Sequence, residues 1–182
     1  SIKKLGSSSA NFDGTNDRLS STVAGFDGLT ALSCSFWMYV DSTGDYEHII
    51  SKGNLAAPIE QHSWGFMFMT GAARKISFRI SNGTIEPLIE SNAAIPLTTW
   101  THIVGIWDGA NIKLYVNNVL QTETSALTGT MSDINDSTYS FNMGSNAAPA
   151  AYFDGRLDEA AIWSRAITEA EIGQLYNGGS GI

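Results

Sequence analysis

Apolar residues in this chain fall into short runs, many at alternate positions, and polar turn residues separate the runs. The runs are "SFWMYV" (Ser35 to Val40), "HIISKG" (His48 to Gly53), "WGFMFMTG" (Trp64 to Gly71) and "KISFRISNG" (Lys75 to Gly83) in the first half. "THIVGIWDG" (Thr101 to Gly109), "IKLYVNN" (Ile112 to Asn118), "YSFNMG" (Tyr139 to Gly144) and "GRLDEAAIW" (Gly155 to Trp163) follow. Runs of this length, punctuated by Gly, Asn and Asp, predict short strands and hence an all-β sandwich. Alternation sets Phe36, Met38 and Val40 on one face of their strand, with Trp37 and Tyr39 on the other. Apolar residues on both faces predict a strand covered on both sides, or one whose second face lines a groove. Asn82-Gly83 has the composition of a tight hairpin turn. One segment has a helical pattern instead: "TEAEIGQLYNGG", where Thr168 and Glu171 form a capping box, Ile172 and Leu175 share a face and Gly178 is a stop. A short helix packed across a sandwich edge is the expectation.

Composition narrows the class. The 182 residues suit one domain, with about 70% of the unfolded surface buried on folding. No Pro-rich run, charge block or long-period repeat marks a linker, so residues 1–182 read as a single unit. Only 15% of residues are charged and 18 are glycine, which suits a turn-rich β protein. A net charge of −8 without any basic cluster argues against a nucleic-acid partner. No apolar run reaches the ~20 residues of a membrane span, so no membrane insertion is expected. Cys34, the one cysteine, precedes a strand-like run and reads as a buried thiol. The chain begins at Ser1 rather than Met, as a processed or excised chain would, so a missing signal segment says little about compartment.

One short pattern occurs near both ends. "NFDGTND" (Asn11 to Asp17) and "YFDGRLD" (Tyr152 to Asp158) share an aromatic-Asp-Gly triplet with a second Asp three residues after the Gly. Asp-Gly after an aromatic suits a turn or bulge, which accounts for Asp13 and Asp154, and for Asp27 in a third triplet, Phe26-Asp27-Gly28.

"NFDGTNDRL", "SKGN", "TTWTHIVGIWDGANIKLYVNN", "FNMGS" and "FDGRLDEAAIWSRAITEAEIGQLYN" together resemble the laminin-G-like (LamG, concanavalin A-like) domains. The resemblance runs from Phe12 to Asn177. Its most specific parts are Trp100-Thr-His-Ile-Val, Trp107-Asp-Gly, Leu114-Tyr-Val-Asn and the closing Gly155-x-x-Asp-Glu block. It implies a jelly roll of two antiparallel sheets, with first and last strands side by side and the two triplets close together. Many such domains carry a structural calcium held by a carboxylate near the chain ends and backbone oxygens. The resemblance therefore implies Ca²⁺ as cofactor, with Asp158 the leading ligand and Asp17 and Asp13 beside it. Facing acids on neighbouring strands repel unless neutralised, and Ca²⁺ accepts such oxygens. The ordinary alternative is that each Asp caps backbone amides or pairs with Arg18 or Arg156.

Chemistry has no footing in the sequence. The glycosidases of this fold use a Glu-x-Asp-x-(x)-Glu run, with carboxyls about 5–5.5 Å apart in retaining enzymes. Here Arg156 stands where the first acid belongs and alanine where the last does. Nucleophile-elbow, phosphate-loop and zinc motifs are missing, and His48, His62 and His102 are scattered. A non-enzyme is expected. The related pentraxins hold ligands through calciums on a carboxylate-rich loop, whereas the corresponding Met143 to Pro149 has no acid. Glycan recognition leads: sugars need aromatic faces and convergent amides or carboxylates. The candidates are Asp45-Tyr46-Glu47, Asn54, His62-Ser63-Trp64, and Asn146 with Tyr152, with Trp64 foremost because it opens a strand beside a polar loop. Each has an ordinary reading as rim or core. The alternative partner is a surface protein, the domain then being a structural or particle-decorating module without a small ligand. Either role places it outside the cell, on a cell surface or on a virion. The triplets Asn82-Gly-Thr84 and Asn135-Asp-Ser137 matter as glycosylation acceptors only in a eukaryotic secretory setting. The sequence leaves oligomeric state open.

Overall fold

The computed structural model describes residues 3–22, 26, 28–42, 44, 46–55, 58–69, 74–124, 131–135, 138–147 and 151–182. Two antiparallel sheets pack face to face. A six-stranded sheet has the order β1-β13-β3-β8-β9-β10. Its strands are β1 (Ala10–Asp13), β3 (Leu32–Val40), β8 (Trp100–Trp107), β9 (Ile112–Val116), β10 (Val119–Leu120) and β13 (Asp154–Trp163). The other sheet has seven strands in the order β11-β7-β6-β5-β4-β12-β2. These are β2 (Leu19–Ser21), β4 (His48–Gly53), β5 (His62–Phe68), β6 (Ile76–Ile80), β7 (Leu88–Glu90), β11 (Glu123–Thr124) and β12 (Phe141–Met143). Each of the apolar runs in the sequence overlaps one of these strands.

The layer between the sheets is apolar because strand alternation delivers one side chain in two to it. Phe36, Met38 and Val40 of β3 enter this core, as do Trp64, Phe66 and Phe68 of β5 and Phe78 of β6. Phe66 meets Phe36 edge-on at 4.9 Å and stacks on Phe78 at 4.6 Å. Gly105 of β8 makes room for these rings: a Cβ there would stand 2.5 Å from Phe66 and 2.7 Å from Phe78. Cys34 is buried in the same layer, and burial pushes its thiol up, so it is an inert core residue.

The outer face of the six-stranded sheet is covered too. Val104, Ile106 and Tyr115 pack against Ile167 and against Ile172 of α1 (Glu169–Tyr176). Trp37 is buried on that face, stacked on Tyr176 at 5.8 Å, so β3 is indeed covered on both sides. The expected capping box is complete: Glu171 N donates to Thr168 Oγ1 at 3.3 Å and Thr168 N donates to the Glu171 carboxylate at 2.7 Å. The helix ends on Asn177 at φ 46°, one residue before the expected stop at Gly178.

Two turns exchange roles. Asn82-Gly83 belongs to a longer connection between β6 and β7, in which Asn82 Oδ1 accepts from Thr84 N and Ile85 N. The tight two-residue hairpin is Asn117-Asn118, at φ 50° and 65°, between β9 and β10. Both residues take the positive φ of a primed turn, whose twist matches the flanking strands.

The echoed triplets face one another across β1 and β13, running in opposite directions. Asp13 pairs with Asp154 and Phe12 with Gly155, while Gly14 N donates to Phe153 O at 3.2 Å. Each glycine thus lies opposite the other triplet's phenylalanine, and both rings enter the core 6.1 Å apart. A Cβ on Gly155 would stand 2.3 Å from Tyr39 O, and one on Gly14 would stand 2.9 Å from the Asp154 Cβ. The motif repeats because two strands approach closely at the same point. Asp27 of the third triplet lies outside the described residues.

Candidate functional site

The strand ends at the β1–β13 triplets bring together residues 41, 42, 44, 46 and 47 after β3 and residues 144–147 and 151–153 before β13. Asp41 N donates to Asp154 O at 3.1 Å, and Ser42 Oγ to the Asp154 carboxylate at 2.5 Å. His48 forms a bridge with Tyr152, its N–H donating to Ala151 O at 3.1 Å. Gly144 N donates to Ile49 O and Phe153 N to Gly144 O, both at 2.9 Å, closing the second set onto β4. Tyr46 stands out from this rim, 48% exposed, and adopts φ 60°. Such a backbone is rare for a non-glycine and is held only where surrounding contacts enforce it.

Buried polar atoms without partners follow Tyr46 along the chain, Glu47 Oε2 and both ring nitrogens of His48, and Asn146 Oδ1 is another. A buried polar group left unpaired costs about 1–3 kcal/mol. The series continues onto the outer face of the seven-stranded sheet. Asn142, Ser51, Gly65 and Arg79 are successive cross-strand neighbours, and Asn142 Oδ1, Ser51 Oγ and Arg79 Nε are also unpaired. Leu55 roofs that row at Gly65, where a Cβ would stand 2.6 Å from its methyl carbon. Glu86 closes the row, holding His62 Nδ1 at 2.6 Å and Arg79 at 3.2 Å.

Electrostatics at the rim follow from burial. Burial pushes the Glu47 carboxyl up to about 7; the Gly44 N–H opposes this and the Asp154 charge adds to it. Burial, followed by the charges of Arg79 and His62, pulls His48 down to about 4. At neutral pH the rim therefore holds an uncharged imidazole beside a carboxyl that is about half protonated. Between an unfolded value of 4.5 and a folded one of about 7, native Glu47 keeps a proton that the unfolded chain has released. Its contribution to stability therefore falls as pH rises through that window. His48 acts oppositely: the unfolded imidazole takes up a proton below 6.5 that the folded one refuses until about 4, so stability is lost as pH falls. Glu47→Gln should gain stability over the wild type progressively from pH 4.5 to 7 in denaturant melts; parallel curves would show that Glu47 is ionised in the fold.

The candidates from the sequence divide sharply. Tyr152 reaches the rim through its bridge with His48, two residues after Tyr46, while Asn146 is buried in the stretch after β12. Asn54 does not reach the rim: it lies beyond the far end of β4, about 20 Å away at strand rise. Trp64 is corrected outright. It is fully buried, in phase with Phe66 and Phe68, and contacts Phe26 at 6.1 Å and Phe141 at 6.0 Å. No sugar reaches its face. Asp45 lies outside the described residues. His48 and Arg79 were missed because their outward direction depends on register, which is irregular in β4 between His48 and Ile50.

The acids proposed for calcium do not converge. Asp158 Oδ2 accepts from Lys4 N and Leu5 N, both at 3.0 Å, and Oδ1 from Glu159 N at 3.0 Å. Asp13 Oδ1 accepts from Thr15 N and Asn16 N, and Asp17 accepts from Asp13 N at 3.2 Å. Asp17 and Asp158 do not face each other, since Asp158 lies four residues, about 13 Å, along β13 from the Asp13–Asp154 pair. These carboxylates cap amides and do not fit a shared calcium. Among the described residues no group of three acids, His or Cys is arranged for a metal.

A two-sheet jelly roll with polar loops at the strand ends defines a class of β-sandwich modules. The chain belongs to the concanavalin A-like lectin/glucanases superfamily (Laminin_G_3), which matches residues 13–173. It is 34% identical over 141 residues to the human adhesion G-protein coupled receptor D1, covering 72% of this chain and 16% of the receptor, so it spans about a sixth of that protein. Among solved structures it is similar to a protein from Bacteroides ovatus named for carbohydrate binding, with TM-score 0.69 and 15% identity over 90% of this chain and 45% of that one. It is also similar to domain 4 of AbnA, a GH43 extracellular arabinanase from Geobacillus stearothermophilus solved with arabinotriose. That match has TM-score 0.61 and 18% identity, and covers 96% of this chain and 76% of the other. No helix among the described residues is long and apolar enough to cross a membrane.

Proposed function

We propose that this protein is a non-catalytic carbohydrate-binding or adhesion module that works outside the cell and seats a glycan at the Tyr46 rim. The observation that carries this reading is Tyr46, 48% exposed and held at φ 60° on the loop before β4. A sugar offers an apolar face that stacks on an exposed tyrosine ring. The names of the Bacteroides protein and the arabinanase domain support the ligand class, and the adhesion receptor supports the setting. The glycan needs no metal in this reading, because Asp13, Asp17 and Asp158 already serve backbone amides. A glycan array followed by titration calorimetry tests it, each in EDTA and in Ca²⁺. Binding should be the same in both, and Tyr46→Ala should weaken it about 5- to 10-fold, as losing one ring contact of about 1 kcal/mol predicts.

A second reading rests on the edge of the six-stranded sheet. Val119 and Leu120 of the edge strand β10 are 61% and 44% exposed, a combination suited to strand addition by a partner protein. An empty array together with protein capture lost in Val119→Lys would favour this assembly role.

A further inference from the structure

Two Asn-x-Ser/Thr triplets, Asn82-Gly-Thr84 and Asn135-Asp-Ser137, play no part in the Tyr46 rim. Asp136 and Ser137 lie outside the described residues, but both asparagines are placed. What each amide is already bonded to separates them. Asn135 Nδ2 donates to Glu60 O and to His62 O, both at 2.8 Å. Both partners are carbonyl oxygens, so the atom between them is the nitrogen, and its two hydrogens are spent. Asn135 N donates to Ser81 O at 2.9 Å, and a Cβ on Gly83 would stand 3.3 Å from Asn135 Nδ2. A group attached to that nitrogen would break one of its bonds and crowd Gly83.

Asn82 is bonded the other way round. Its Oδ1 accepts from Thr84 N at 3.0 Å and from Ile85 N at 2.9 Å, and two N–H donors can only face the oxygen. Asn82 Nδ2 has no partner among the described residues, and unlike Asn142 Oδ1 or Asn146 Oδ1 it is not buried. The turn around it is fixed: Asn82 N donates to Ile85 O at 3.3 Å, Gly83 N donates to Ser81 Oγ at 2.9 Å, and Gly83 takes φ 84° without strain. Thr84, the hydroxyl residue that the triplet requires, is exposed. From this we infer that Asn82, and not Asn135, is a modification site, the residue at which this domain accepts an N-linked glycan. The inference rests on the extracellular part of the proposed function and owes nothing to the Tyr46 rim. The donor is an oligosaccharide joined through its anomeric carbon to a lipid pyrophosphate. The anomeric C–O bond breaks and the lipid pyrophosphate leaves with its electron pair. The anomeric carbon bonds to Asn82 Nδ2, which gives up one proton to a base of the transferring enzyme. Trp64 pairs with Ile80, two residues before Asn82, whereas Met67 pairs with His48, two residues after Tyr46. Asn82 and Tyr46 thus lie toward opposite ends of the strands, and the attached glycan is anchored away from the rim.

The test is to secrete the intact chain from a eukaryotic cell, release its glycans with an amidase and map its peptides by mass. The amidase leaves Asp wherever an Asn carried a glycan. Conversion at Asn82 in most of the secreted chains, with Asn135 unconverted, is the expected result. Thr84→Ala should abolish the glycan and keep the Asn82 turn, which uses only the Thr84 backbone. Asn135→Gln should keep the glycan and lower Tm, because its two bonds to Glu60 and His62 are lost. The wild-type map decides even if either variant is secreted poorly. A bare Asn82, a glycan on Asn135, or a glycan that survives Thr84→Ala would each overturn the assignment. Because the host imposes the secretory route, a bare Asn82 counts against this site alone, and the same sample on a glycan array tests the Tyr46 rim.

Discussion

Trp64→Ala should cost about 3–5 kcal/mol of stability, a drop in Tm of roughly 10 °C for a chain of this size. The side chain has no exposed surface and sits among Phe26, Phe141 and the Phe66 layer. Its loss leaves a cavity that paired strands on both sides cannot close, because Trp64 lies opposite Lys52 in β4 and Ile80 in β6. Below its melting point the variant should bind glycan as the wild type does. Denaturant titration and calorimetry on one sample decide the matter: near-normal stability with lost glycan affinity would restore Trp64 as a binding platform and refute its core role.

Gly144→Val is expected to be nearly as damaging, at about 2–5 kcal/mol from steric overlap and unfavourable backbone together. Gly144 adopts φ 84°, and a Cβ there would stand 2.1 Å from Phe12 Cδ1 and 2.3 Å from Cε1. Phe12 cannot retreat easily, being buried in the core on a strand paired to β13. The same glycine is hydrogen-bonded to Ile49 and Phe153, so the rim should loosen and glycan affinity fall with stability. Gly178→Ala is the control: φ is 61° but nothing lies within 4 Å of a Cβ, so only the backbone term remains. Equal melts for the two variants would mean that the contact with Phe12 is not what requires a glycine at 144.

The architecture was legible where alternation is long. β3, β5 and β8 carry apolar residues in a period of two, and the capping box at Thr168 announces α1. Strands β1, β2, β7, β10 and β11 are two to four residues long, too short for a period, and they exist because a longer neighbour offers hydrogen bonds. The site was half legible. Tyr46 and Tyr152 could be chosen as aromatics in polar loops, but local sequence cannot say which face of a strand meets the other sheet. Trp64 was misjudged for that reason, since partners distant in sequence place it inside. The same limit hid His48, whose direction follows from an irregular pairing with β5. Asp158 likewise found its partners at Lys4 and Leu5, 154 and 153 residues away.

That last contact bears on how the module responds to tension. Lys4 Nζ reaches Gly179 O and Leu5 packs on Gly181, so both ends of the fold leave from one corner. Beyond the corner, β1 and β13 run antiparallel, with Ala10 and Leu157 paired at the near end and Asp13 and Asp154 at the far one. A load applied through the termini therefore meets the Lys4 and Asp158 contacts first. It then peels β1 away from β13 one rung at a time, like a zip, instead of shearing all rungs together. For a module in an adhesive chain, such a corner sets a low yielding force and a fixed order of release.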